Sequence, residues 1–127
     1  MVSQNLKNIR NKYMKVGYRK TILEVAVNLQ SVKEFTNEYN IEFILDDIKP
    51  KITKETTTTF FGHLLTYENC NYSVIINRKA NKTMYQILDT LAHELIHIKH
   101  SNHNKTHKFE TKKLREKLFN EFAFKLN

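Results

Sequence analysis

Between Thr83 and His100 the chain reads TMYQILDTLAHELIHIKH. Met84, Leu88, Leu91, Leu95 and Ile98 recur at spacings of three and four, the pattern of a helix with one apolar face. Asn81 or Thr83 is placed to cap it. No other stretch constrains the fold as strongly. A helix with such a stripe must bury that face against other elements of one core. The opposite side, free to line a cleft, carries His93, Glu94 and His97.

Residues i and i+4 of a helix lie one above the other. His93 and His97 therefore project from the same face and can reach one Zn2+ together. Glu94 stands one residue round from His93, beside the metal but poorly directed to bind it. That is where a general base must be to take a proton from a zinc-activated water. Five of the six histidines fall between Thr90 and Glu110, so the pair does not stand alone. A solvated, histidine-rich helix face is the plain alternative.

A catalytic zinc needs a third protein ligand and one open position. His103 ranks first, because Ser101, Asn102 and Asn104 suit a turn that brings the chain back after the helix. His107 ranks second, and a carboxylate from Glu110, Glu116 or Glu121 third. His100 is expected to face solvent. His63, after Gly62, is read as structural or as part of the cleft wall.

The rest of the pattern points to an α+β domain. Leu6, Ile9, Tyr13 and Val16 predict a basic N-terminal helix within residues 1–20, with Gly17 as its stop. A further helix is predicted over 20–39, broken near Ser31, where Ser31 and Glu34 have capping-box spacing. IEFILDD reads as a strand. Thr56–Tyr67 and Tyr72–Asn77 read as a hairpin turned by ENCN, and the four threonines decorate a half-exposed strand. A last helix is predicted over 105–122, with Phe109, Leu114, Leu118 and Phe122 inward. The expected domain is single and spans 1–127. Its β-rich part covers 41–77 and forms a short antiparallel sheet packed on the 83–100 helix.

Composition narrows the classes. At 127 residues, with ordinary apolar content, the chain fits one modest core. Cys70 is the only cysteine, which excludes an intramolecular disulfide and a cysteine-based zinc ribbon, and fits an intracellular, reducing compartment. No apolar run suits a signal peptide or a membrane span. The formal charge is +8. Lys7, Arg10, Lys12, Lys15, Arg19 and Lys20 carry it at one end, and Lys105 to Lys117 at the other. Such a field favours phosphate backbones and acidic partners.

LDTLAHELIHIKHSNHNKTHKFE resembles the core of small intracellular zinc peptidases of the SprT-like and WLM types. FFGHLLTYENCNYSVIINR is similar to the hairpin that precedes the active-site helix in that zincin-like fold. The likeness extends over about residues 31–118 and is most specific at Thr90–His97. It implies a metallopeptidase with zinc on His93, His97 and His103, Glu94 as general base, a protein or peptide substrate, and contact with DNA through the basic termini. The sequence departs from the families in one respect. His107 stands where they usually have a phenylalanine, Phe109 comes two residues later, and no glycine intervenes. A glutamate third ligand, as in small gluzincin-like peptidases, stays open on that account.

In the peptidase reading an extended substrate adds to a free edge of Tyr72–Asn77, and Tyr67, Tyr72 or Tyr85 could stabilise the oxyanion. Two other readings compete with it. One is a basic nucleic-acid- or protein-binding module with a structural zinc. The other is a peptidase-like regulator of one specific partner.

Overall fold

The computed structural model describes residues 18–126. The basic helix expected over 1–20 falls almost wholly outside them. The chain enters through α1 (Arg19–Ala26) and α2 (Gln30–Glu38). They are separated at Val27–Leu29, where Asn28 Nδ2 donates to the Glu24 carbonyl (2.8 Å). The break near Ser31 is thus present, but the Ser31–Glu34 capping box is not. The helix begins earlier, with Leu29 as N-cap. Ser31 sits in its first turn and donates from both N and Oγ to the Glu121 carboxylate. A distant glutamate caps α2, where its charge also suits the helix dipole.

Strand β1 (Asn40–Asp46) follows, then the short strands β2 (Lys51–Ile52) and β3 (Thr57–Thr58), then β4 (Gly62–Tyr67) and β5 (Asn71–Asn77). The main sheet has the order β1-β5-β4. β4 runs antiparallel to β5, with Gly62 opposite Ile76 and Tyr67 opposite Asn71. β1 runs parallel to β5, with Asn40 opposite Asn71. Asn69 and Cys70 make the turn with φ of 60° and 57°, and asparagine is among the residues that tolerate this left-handed region best.

The sheet corrects three expectations. It is mixed rather than antiparallel. Tyr72–Asn77 is the central strand, so its edges are both taken and no substrate can add there. Thr56–Tyr67 is not one strand. Thr57–Thr58 pairs with Lys51–Ile52 in a separate, exposed two-stranded arm. The chain turns at Phe60 and Phe61 because side chains capture their carbonyls. Asn77 Nδ2 donates to Phe60 O (2.6 Å), and Asn81 Nδ2 to Phe61 O (2.8 Å).

Helix α3 (Met84–Lys99) is the centre of the core. Thr83 caps it, as a true capping box with Gln86. Ile87, Leu88, Leu91, Ala92 and Leu95 are completely buried, in one core cluster with Val74 and Ile76 of β5, and the helix packs on α1, α4 and the sheet. Helix α4 (Lys105–Lys125) outlasts its predicted end. Leu114, Leu118 and Phe122 point inward as expected, but Phe109 is 67 % exposed. His107 and Thr111 take the inward positions of the first turns. Phe109, two residues on from His107, is carried to the opposite face. The architecture is α+β, with four helices among the described residues. No helix among them is long and apolar enough to cross a membrane.

Candidate metal centre

His93 and His97 leave the side of α3 that faces the β4 edge. The helix ends at Lys99, and the short link 100–104 returns His103 to the same place. Asn104 then starts α4, its side chain accepting from the His107 backbone N–H (2.9 Å). The ends of two capped helices thus fix the register of the histidines on either side of the link.

Three Nε2 atoms converge. His93 and His97 approach to 3.1 Å, His93 and His103 to 3.1 Å, and His97 and His103 to 2.9 Å. Imidazole nitrogens sharing one zinc at tetrahedral angles stand about 3.3 Å apart, so the triangle fits such an ion with adjustments of a few tenths of an ångström. Protons alone do not satisfy it. His97 Nδ1 lies 3.0 Å from the His100 carbonyl, which only accepts, so Nδ1 carries the hydrogen and Nε2 of the neutral ring offers a lone pair. With one acceptor fixed, the three short contacts cannot all be N–H···N bonds. A cation at the centre satisfies every one of them, and the carbonyl behind His97 orients the ring for it.

His107 joins the group from below. The ligand atoms of His93, His97, His103 and His107 all lie within 4.8 Å of one another, and these four could hold a metal ion. The other candidates are elsewhere. Glu110 lies against His100 (3.6 Å), Glu121 holds Ser31, and Glu116 is exposed.

Electrostatics favour neutral rings. Burial, with the neighbouring histidines, pushes the His93 pKa down to about 4. His97 and His107 are also lowered, chiefly by burial. Their lone pairs are therefore free near neutral pH, as metal binding requires. Glu94 is only 6 % exposed, and burial raises its pKa to about 7. No described residue donates a hydrogen bond to its carboxyl. A base poised near neutrality is what proton transfer needs.

Glu94 and the three converging histidines share a cleft of about 780 Å³, whose far wall is formed by Phe60, Phe61, Gly62 and His63. His63 lines it, stacked near Phe60 at 4.9 Å. Tyr67, Tyr72 and Tyr85 do not line it. Tyr72 packs on Tyr39, and Tyr85 on Phe119.

Sequence reasoning missed the support behind this wall. Asn81 is completely buried. It donates to Phe61 O and to Asn77 O (2.7 Å) and accepts from Thr90 Oγ1 (2.6 Å), one turn before Glu94. The wall is thereby tied to α3. Gly62 lies so close that a Cβ there would meet Thr90 Cγ2 at 2.7 Å, Ile75 O at 2.9 Å and Glu94 Oε2 at 3.1 Å. The available signal was an asparagine pair, Asn77 and Asn81, at helical spacing between an apolar strand and an apolar helix.

Comparison with protein-family models, with curated proteins and with solved structures finds no match.

Proposed function

We propose that the chain is a zinc-dependent peptidase of zincin-like architecture, akin to the SprT-like and WLM types. One observation carries the reading: three histidine Nε2 atoms 2.9–3.1 Å apart share a cleft with a buried glutamate. His93, His97 and His103 would hold the ion. When bound, zinc supplies Lewis acidity, polarising a carbonyl and making water acidic near neutral pH. Glu94 takes the proton from the attacking water and delivers it to the leaving amine. Its desolvated carboxyl suits both halves of that transfer.

The substrate edge is β4 rather than β5. Gly62–Tyr67 pairs with β5 on one side only, and Gly62, His63, Leu64 and Thr66 line the cleft. An extended peptide pairing with the open side would run past the histidines, held by main-chain hydrogen bonds with little sequence choice. The cleft walls Phe60, Phe61 and Leu64 favour apolar side chains next to the scissile bond.

A DNA-associated substrate is part of the proposal. Lys105, Lys108, Lys112, Lys113 and Lys117 are exposed along α4, a charge array suited to a phosphate backbone. Retention on DNA that falls steeply with salt checks that part.

The test of the whole is a peptide library digested by the zinc-loaded protein and by Glu94→Gln at equal zinc content. Cleavage by the first and not the second is expected. Equal products from both would refute Glu94 as the base. Full zinc occupancy with no cleavage of the library or of DNA-bound protein would favour a structural zinc in a binding module.

A further inference from the structure

We propose that His107 is a positioning residue for the metal centre, holding the His93 backbone and the His97 ring in place without itself binding the ion. The inference rests on the zinc reading above and adds a role that the His-Glu-x-x-His pattern does not contain.

His107 is 1 % exposed, the most buried histidine of the cluster. A buried ring nitrogen needs a partner, and Nε2 finds the His93 carbonyl at 3.3 Å. A carbonyl only accepts, so Nε2 carries the hydrogen and is not the atom that could bind a metal; the ring's lone pair is on Nδ1. The bond uses the second lone pair of a carbonyl in the helix that bears two of the ligands. The same ring packs on His97, with centroids 4.2 Å apart and planes tilted by 33°, and meets His93 edge-on at 4.7 Å. One side chain therefore touches both helical ligands.

Its own placement is fixed. The Asn104 cap holds the His107 backbone, and Asn104 directly follows the third converging histidine. The cap, the returning link and the buried ring form one unit that fixes α4 against the metal-facing side of α3. An apolar ring at this position would fill the same space but leave the His93 carbonyl without its second donor. Supporting contacts of this kind typically change metal affinity by about 10–100-fold when removed.

The experiment compares the unaltered protein with His107→Phe and His107→Gln. Phenylalanine keeps an aromatic ring and loses the N–H. Glutamine places an N–H near the position of Nε2. Zinc affinity is measured by chelator competition, cobalt(II) absorption reports the donor set, and thermal unfolding of the metal-free proteins reports the fold. The expected result is a zinc affinity about 10–100-fold weaker for His107→Phe, largely recovered in His107→Gln. The cobalt spectra of all three should indicate the same donor number.

Equal affinity in all three proteins would overturn the proposal, as would a glutamine variant no better than the phenylalanine one. A cobalt spectrum showing one imidazole fewer in His107→Phe would make His107 a ligand and overturn it too. Failure of the unaltered protein to take up zinc or cobalt would instead remove the zinc reading, and this inference with it.

Discussion

Replacing Glu94 by glutamine should stabilise the metal-free protein, and only at high pH. Glu94 lies in the cleft beside α3 with its carboxyl desolvated, and its pKa rises from 4.5 to about 7. The folded protein therefore holds this proton more tightly than the unfolded chain does. The penalty of an ionised, buried carboxylate is absent below about pH 4.5 and grows as pH rises through about 7. At ~1.4 kcal/mol per pH unit, the gap corresponds to about 3 kcal/mol of lost stability at alkaline pH. Glutamine has nearly the same shape and no charge, so it removes that loss. Urea unfolding of both metal-free proteins at about pH 5 and about pH 8.5 measures it. Glu94→Gln should gain up to about 3 kcal/mol on the unaltered protein between the two conditions. His93 has the opposite sign. Its lowered pKa, about 4, gives stability that is lost as pH falls below about 6.5. It is present in both proteins and cancels in the comparison. A difference between the two proteins that is the same at both pH values would refute the desolvation argument.

Other perturbations act on separate parts of the site. Zinc binding near pH 7 should release fewer protons from Glu94→Gln than from the unaltered protein, because burial leaves Glu94 partly protonated there and a nearby cation favours its ionised form; calorimetry in buffers of different ionisation heat measures this. Asn81→Ala removes the side-chain bonds to Phe61 O, Asn77 O and Thr90 Oγ1. It should cost about 2–4 kcal/mol in urea unfolding, since buried partners are left unpaired. Gly62→Ala drives a Cβ into Thr90 and the Ile75 carbonyl and should cost about 1–3 kcal/mol, read from the same unfolding curves. His103→Ala removes an exposed side chain. Metal-free stability should change by less than about 0.5 kcal/mol, while zinc affinity falls more than for any other single change outside α3.

Local signals explain how much of this was legible beforehand. The α3 stripe and the pair His93 and His97 follow from helical periodicity, which depends on near neighbours alone. The polar turn formers after the helix favour His103, and the link does bring it to the pair. The errors lie where distant residues decide. Glu121 replaces Glu34 as the partner of Ser31, from 90 residues further along the chain. The strand pattern of Tyr72–Asn77 gave its apolar faces but not its neighbours. Its central place depends on β1 pairing in parallel from more than two dozen residues upstream, which no alternation encodes. Apolar periodicity alone predicts Phe109 inward, because it is large and apolar. The phase of α4 is instead set by His107, Thr111, Leu114 and Leu118, and a buried histidine is poorly anticipated by apolar counting. The Asn77 and Asn81 clamps were missed for a similar reason, since buried amides are recognised only by the carbonyls they satisfy.

X-ray absorption at the zinc edge of the zinc-loaded protein tests the central claim most directly. The account predicts one zinc per chain with three imidazole nitrogens at about 2.0–2.1 Å and one further oxygen donor. Four imidazoles would close the position that substrate needs, and fewer than three would break the histidine triangle; either result would contradict the hydrolytic centre.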